Sequence, residues 1–262
     1  RHFEWDVERQ RRLGALMETY SAEEVAERFP GLATGCREDR IAGAIMVKGF
    51  TVNIHKFVAR LKQAILDADG QIHWSTKVDK VLRQPDGAVR GLRCGDQIFQ
   101  ANHYLLSPGV YGEGLLAGTP CEGLIHGVLG AWMEIPNSTP PLTHSMKLAR
   151  KGHLAEDSNI TVARGADGQP LLVIGSGYGY TGAFLPCGCS PDIDEAQLEV
   201  LYDALRDTAE KYFSGRLAGE EEVAPNFRYC VRPWTATSLG IFHIQPSEDG
   251  GSLMVIGGHN TG

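Results

Sequence analysis

Arg232 follows a short apolar run, Tyr229 to Val231, and Pro233 fixes the backbone directly after it. A guanidinium at the end of a strand offers parallel N–H donors that match a carboxylate, so a carboxylate-bearing substrate is one partner for it and a structural ion pair is the other. A second group of chemistry-bearing residues closes the chain: Gly257, Gly258, His259, Asn260, Thr261 and Gly262 follow the strand-like run Leu253 to Ile256. The densest glycine cluster lies elsewhere, at Gly175-Ser176-Gly177-Tyr178-Gly179-Tyr180-Thr181-Gly182. A dinucleotide loop has to open a helix whose amino end receives the pyrophosphate, with an acid about 20 residues on. Here Ala183-Phe184-Leu185-Pro186 follows, so the cluster predicts a glycine-rich loop after an antiparallel strand, and an NAD-linked site there is the weaker alternative. Cys187-Gly188-Cys189 lacks the two-residue spacing and the second ligand pair of a structural zinc site, and no metal is expected. Nine histidines are scattered; His55 and His126 read as surface or satisfied core residues, while His243 and His259 fall in segments with other functional signals.

These residues need elements to hold them. Ser21 with Glu24 three positions on forms a capping box for a short helix that ends before Pro30-Gly31. Ile54, Phe57, Val58, Leu61, Ile65 and Leu66 recur at helical spacing between a capping Asn53 and a stopping Gly70. After Gly70 the runs 71–74, 77–83, 89–94 and 97–101, broken by Pro85-Asp86-Gly87 and Gly95-Asp96, predict a meander of strands. The nearly all-apolar run His103 to Leu106 leads into Ser107-Pro108-Gly109, as for a strand that delivers a glycine turn at its carboxyl end, where cofactors sit in open α/β sheets. Strand-like segments at 127–135, 143–149, 160–164 and 171–174 predict a second, mostly antiparallel sheet. Ser190-Pro191-Asp192 is expected to open a long helix running through Phe213. The fold class is therefore mixed α/β.

Composition narrows the partners. The 262 residues carry 25 Lys plus Arg against 32 Asp plus Glu, a net charge of −7, which gives no basic field for nucleic acid. No run approaches the roughly 18 apolar residues that span a bilayer. Six cysteines spread over this length are not a secreted disulfide framework, so reduced thiols in a cytoplasm are the expectation. Arg1 in first position and the glycine-rich close suggest an internal fragment of a longer chain.

Taken in order, three segments resemble the FAD-dependent D-amino acid oxidase/glycine oxidase-like family. Ala42 through Leu115 is similar to the family's middle FAD-domain block, through Gly43-Ala44-Ile45, the helix from Ile54, Gly70-Gln71-Ile72, Thr76-Lys77-Val78 and Tyr104-Leu105-Leu106-Ser107-Pro108-Gly109. Val231-Arg232-Pro233-Trp234-Thr235 resembles its late Arg-Pro segment, and Leu253 to Gly262 its flavin-facing strand and Gly-His turn. The family's opening glycine fingerprint is missing, and Thr235-Ala236-Thr237-Ser238-Leu239-Gly240 replaces its usual Thr-x-Asp-Gly-x-Pro. The resemblance implies a Rossmann-like FAD domain without its N-terminal βαβ, plus an antiparallel-sheet substrate domain. It places a helical junction at 1–41, FAD-binding chain at 42–118, the substrate domain at 119–228 and a return to the FAD domain at 229–262. It implies FAD as cofactor, with the Val78 backbone at the adenine edge and Ser107, Pro108, Gly109 and the 257–262 turn, including His259, Asn260 and Thr261, close to the flavin. Arg232 would grip the carboxylate of the substrate, a small-molecule amino acid or related amine, aided by Tyr178 or Tyr180. The implied reaction is oxidation of a C–N bond by hydride transfer to flavin; a non-catalytic flavoprotein-like subunit is the alternative.

Overall fold

The computed structural model describes residues 2–138, 140–148, 158–165, 167–183, 193–213, 227–237, 240–247 and 250–258. Along the chain run α1 (His2–Arg12), β1 (Met17–Ser21), α2 (Ala22–Arg28), α3 (Ala33–Arg37), β2 (Gly43–Val47) and α4 (Ile54–Asp67). Then come β3 (Lys80–Arg83), β4 (Val89–Cys94), β5 (Gln97–Phe99), β6 (His103–Leu106), β7 (His126–Pro136), β8 (Met146–Leu148), β9 (Ser158–Arg164) and β10 (Pro170–Ala183). The last elements are α5 (Glu195–Phe213), β11 (Phe227–Trp234), β12 (Ile241–Pro246) and β13 (Ser252–Gly257). The strands form a β1-β2 pair and three larger sheets, ordered β11-β7-β10-β9-β8, β12-β13-β6 and β3-β4-β5. This is the mixed α/β architecture expected. Among the described residues no helix is long and apolar enough to cross a membrane.

The chain divides into two compact units. Unit 1 comprises Arg1–Lys62, Ala131–Gly177 and Ala196–Tyr229. Its capping box is formed at both ends: the Ser21 hydroxyl accepts from the Glu24 amide, and the Glu24 carboxylate accepts from the Ser21 amide at 2.7 Å. The core of the unit joins Met133, Ile135, Ile160, Leu172 and Ile174 of the sheet with Leu205, Ala209 and Phe213 of α5, all essentially inaccessible to solvent. Ser158 and Thr208, both buried, pair their hydroxyls at 3.3 Å and so tie β9 to α5 without leaving a polar atom stranded.

Unit 2 comprises Gln63–Gly130, Tyr178–Glu195 and Cys230–Gly262. Its core is a cluster of Val81, Val89, Tyr104, Leu106, Leu116, Cys121, Ile125, Leu253 and Val255. The strict alternation of buried and exposed residues in β6 places Tyr104 and Leu106 in that cluster and leaves Leu105 exposed.

Several expectations change. The glycine cluster 175–182 is not a loop: it forms the second half of the 14-residue strand β10. β9 ladders with Pro170 to Gly175 and β7 is its neighbour on the other side, so the strand those pairings begin carries on through the glycines despite their poor strand propensity. Gln71 to Trp74 forms no strand; Trp74 is exposed and Ser75 adopts φ 53°, a left-handed turn that breaks extension. The strand after it begins at Lys80 rather than Lys77, and among the described residues of the 143–149 segment the strand covers Met146–Leu148. α5 begins at Glu195 within the described residues, while Ser190-Pro191-Asp192 and the Cys187-Gly188-Cys189 triplet lie outside them. α4 forms between Asn53, whose side chain accepts from the Lys56 amide at 3.0 Å, and Gly70, but its apolar residues are exposed rather than buried.

Candidate functional site

The site begins with two strands that run the same way. β13 and β6 are paired in parallel, with Leu253 opposite Tyr104 and Val255 opposite Leu106. Both strands therefore end at one edge of the sheet. Ser107-Pro108-Gly109 leaves β6 there, and Gly258 follows β13 there. Gly109 has φ 63° and Gly258 has φ 77°, left-handed values that a side chain resists. Turns at the carboxyl ends of parallel strands open the crevice in which open α/β sheets bind ligands.

The opposite end of the pair is tied. The Asn102 carbonyl accepts from the Ser252 amide at 3.0 Å and from the Ser247 hydroxyl at 2.8 Å, and the Ser252 hydroxyl lies 3.1 Å from His103 Nδ1. These bonds fix the register that brings the two glycine turns side by side.

A Cβ placed on Gly109 would meet no atom within 4 Å. The backbone there faces open space, which suits close approach by a cofactor. Gly112 behaves differently, because its missing side chain is what lets Pro108 fold back against it. Gly258 packs its Cα against the Thr235 methyl, so that a Cβ there would overlap it. Thr235 is buried, and its segment is continuous with Arg232-Pro233-Trp234. The structure thus brings the Arg-Pro segment and the terminal glycine turn into direct contact.

Arg232 lies on β11 next to β7 in the sheet. Its Nε is buried, and its guanidinium rests against the backbone of Gly130, where a Cβ would stand 2.6 Å from Nη2. Two residues on, the Trp234 ring packs against the His126 imidazole with centroids 6.2 Å apart. Val78 lies just ahead of β3, whose Val81 belongs to the same core cluster as Leu106 and Val255. Asp79 beside it is held by its amide to the Arg93 carbonyl at 2.8 Å and accepts from the Gly95 amide at 2.6 Å.

Tyr178 and Tyr180 lie on β10, and their side chains fall outside the described residues. So do His259, Asn260, Thr261 and Gly262. His243 sits on β12 and pairs its Nε2 with the Gln245 side-chain oxygen at 3.3 Å. An open cleft of about 410 Å³ in unit 1, lined by Phe3, Val7, Tyr20, Glu24 and neighbours, contains none of the candidate residues. Gly130, Gly112 and Thr235 were not singled out in the sequence as site residues. An isolated glycine inside a strand does signal a close approach, but only the fold shows that Arg232 is what approaches Gly130.

A parallel strand pair with two glycine turns at its carboxyl edge is the arrangement at which open α/β sheets bind ligands. The chain belongs to the FAD-dependent oxidoreductase (DAO) family, whose model matches residues 2–262, and the family's cofactor is FAD. Among solved structures it is similar to glycine oxidase from Geobacillus kaustophilus, at 20% identity and a TM-score of 0.66 over 96% of this chain and 60% of that one. It is also similar to glycine oxidase from Bacillus cereus ATCC 14579, at 15% identity and TM-score 0.68, over 97% and 61%. L-proline dehydrogenase from P. horikoshii gives 14% identity and TM-score 0.65, over 98% and 63%. The chain therefore spans about three fifths of the length of these structures, and at such identities the likeness is one of fold. None of the curated protein sequences matches it.

Proposed function

We propose that this chain is part of an enzyme that oxidises the C–N bond of an amino acid or related amine. The observation that carries the proposal is the β6/β13 register, which sets Gly109 and Gly258 at one sheet edge within the unit that also contains Arg232. Similarity to glycine oxidase and L-proline dehydrogenase structures supports the substrate class.

FAD, when bound, supplies the hydride acceptor. Its holding is assigned to the Val78 backbone, to Ser107, Pro108 and Gly109, and to Gly257 and Gly258 continuing into His259, Asn260, Thr261 and Gly262. The open backbone at Gly109 fits a closely approaching group, and main-chain amides of the turn that the left-handed Gly258 opens are assigned to stabilising the developing negative charge. Arg232 donates N–H bonds to the substrate carboxylate, with Tyr178 or Tyr180 adding a phenolic donor. That grip orients the α-carbon, whose hydride leaves with its bonding pair while the amine nitrogen releases a proton to solvent. The resulting imine is hydrolysed by water. No protein base is required by this scheme. Residues 42–118 and 229–262 are assigned to the FAD side and 119–228 to the substrate side, a division that does not follow the bounds of the two compact units.

The experiment is an absorption spectrum of the purified holoenzyme under anaerobic titration with amino acids. Bleaching of the flavin band supports the proposal; a flavin band that no amino acid or amine bleaches overturns it in favour of a non-catalytic flavoprotein-like subunit.

A further inference from the structure

Gly130 sits inside β7 with an ordinary strand backbone, so no left-handed turn demands glycine there. What demands it is a neighbour. A Cβ built on Gly130 would lie 2.6 Å from Arg232 Nη2 and 2.7 Å from both Cζ and Nε, far inside van der Waals contact. All three atoms belong to the guanidinium plate. The strand glycine Gly175 shows that the fold does not impose such closeness in general, since a Cβ there would meet nothing nearer than 3.9 Å. Gly130 and Arg232 belong to the same unit and to adjacent strands, so the contact is set by the sheet itself.

We infer that Gly130 is a positioning residue: its bare Cα is the floor on which the Arg232 guanidinium lies flat, fixing the direction in which the arginine presents its N–H donors to a carboxylate. The inference rests on the assignment of Arg232 to carboxylate binding. A long arginine chain has several rotatable bonds, and bidentate recognition needs the fork held in one plane. A backbone floor on one side holds it. The plate is also the far end of a flexible side chain, so a methyl at position 130 displaces the arginine rather than the strand.

The test titrates the holoenzyme with acetate by calorimetry and measures KM and kcat for a carboxylate substrate. Gly130→Ala is expected to melt within a few degrees of the parent. It should weaken acetate binding roughly tenfold to a hundredfold, the range for losing hydrogen bonds to a charged group, and should raise KM more than it lowers kcat. Arg232→Ala should weaken acetate similarly, and adding Gly130→Ala to it should change nothing further. Methylguanidine should restore acetate binding to Arg232→Ala but not to the double variant, whose floor is filled. If Gly130→Ala binds acetate normally while Arg232→Ala does not, the floor is wrong and the arginine's role stands. If Arg232→Ala binds acetate normally, the carboxylate assignment itself fails. A double variant that does not fold also overturns the inference, because with the arginine gone nothing remains for the methyl to displace.

Discussion

Val255 of β13 lies directly opposite Leu106 of β6 in a parallel ladder, and each is followed within three residues by a glycine in the left-handed region. The two side chains are fully or nearly fully buried in one cluster, so the register of the glycine turns is fixed by apolar packing underneath them. A slip of one residue would turn every buried side chain of a strand to the opposite face.

Leu253 tests that coupling. It has no exposed surface and sits opposite Tyr104 at the heart of the pair. Leu253→Ala should cost about 2–5 kcal/mol, the range for a cavity left by a fully buried leucine. Urea unfolding measures the cost. A loss below about 1 kcal/mol would show that the cluster collapses around the deletion and does not clamp the register.

Gly258→Ala is expected to fail in two separable ways. The φ of 77° costs an alanine about 1–2 kcal/mol, and the new methyl overlaps the side chain of Thr235. Flavin retained per chain after gel filtration should fall. Adding Thr235→Ser removes the methyl that is struck and should recover part of the loss, leaving the backbone strain. Full retention in the single variant would detach this turn from cofactor binding.

Local signals carried much of the architecture. Ser21 and Glu24 mark their helix start because a capping box is a contact between neighbours in sequence. Pro85-Asp86-Gly87 marks its turn for the same reason: Gly87 adopts φ 89°, and the Asp86 carboxylate accepts from the Ala88 amide at 2.9 Å. Pairings between distant segments were hidden. Met17–Ser21 pairs with Gly43–Val47, and β12 pairs with β13, through backbone ladders that leave little hydrophobic alternation to read. The glycines of β10 continue a strand whose pairing with β9 over Pro170–Gly175 and place beside β7 are tertiary facts that propensity cannot contain. At the site, the glycine turns after β6 and β13 were legible, whereas the Gly130 floor beneath Arg232 required the sheet order.

Ser21→Ala should remove the helix cap of α2 while leaving the unit's core intact. The Ser21 hydroxyl is the acceptor for the Glu24 amide, and loss of such a cap costs about 0.5–2 kcal/mol. Thermal melting should show a drop of a few degrees, and Ser21→Asp should restore most of it, because aspartate also accepts at that position and adds negative charge at a helix amino end. Equal melting of the alanine and parent proteins would mean the cap contributes nothing net.

Cys36 links stability to alkaline pH. Burial pushes its thiol above the ordinary value of 9.0; nearby Glu23 adds to this and Arg37 opposes it. The folded state therefore holds the proton more tightly than the unfolded chain. Its contribution is fully present below pH 9.0 and is lost as pH climbs past 9.0 toward the folded-state value. Denaturant midpoints measured from pH 8 upward should fall more steeply for the parent than for Cys36→Ala, which has no thiol to ionise. The same physics predicts slow alkylation: buried Cys36 should resist iodoacetamide at pH 8 while exposed Cys230 reacts, since the thiolate is the nucleophile. Parallel midpoint curves for the two proteins, with Cys36 alkylated as fast as Cys230, would mean that the thiol is neither sheltered nor shifted.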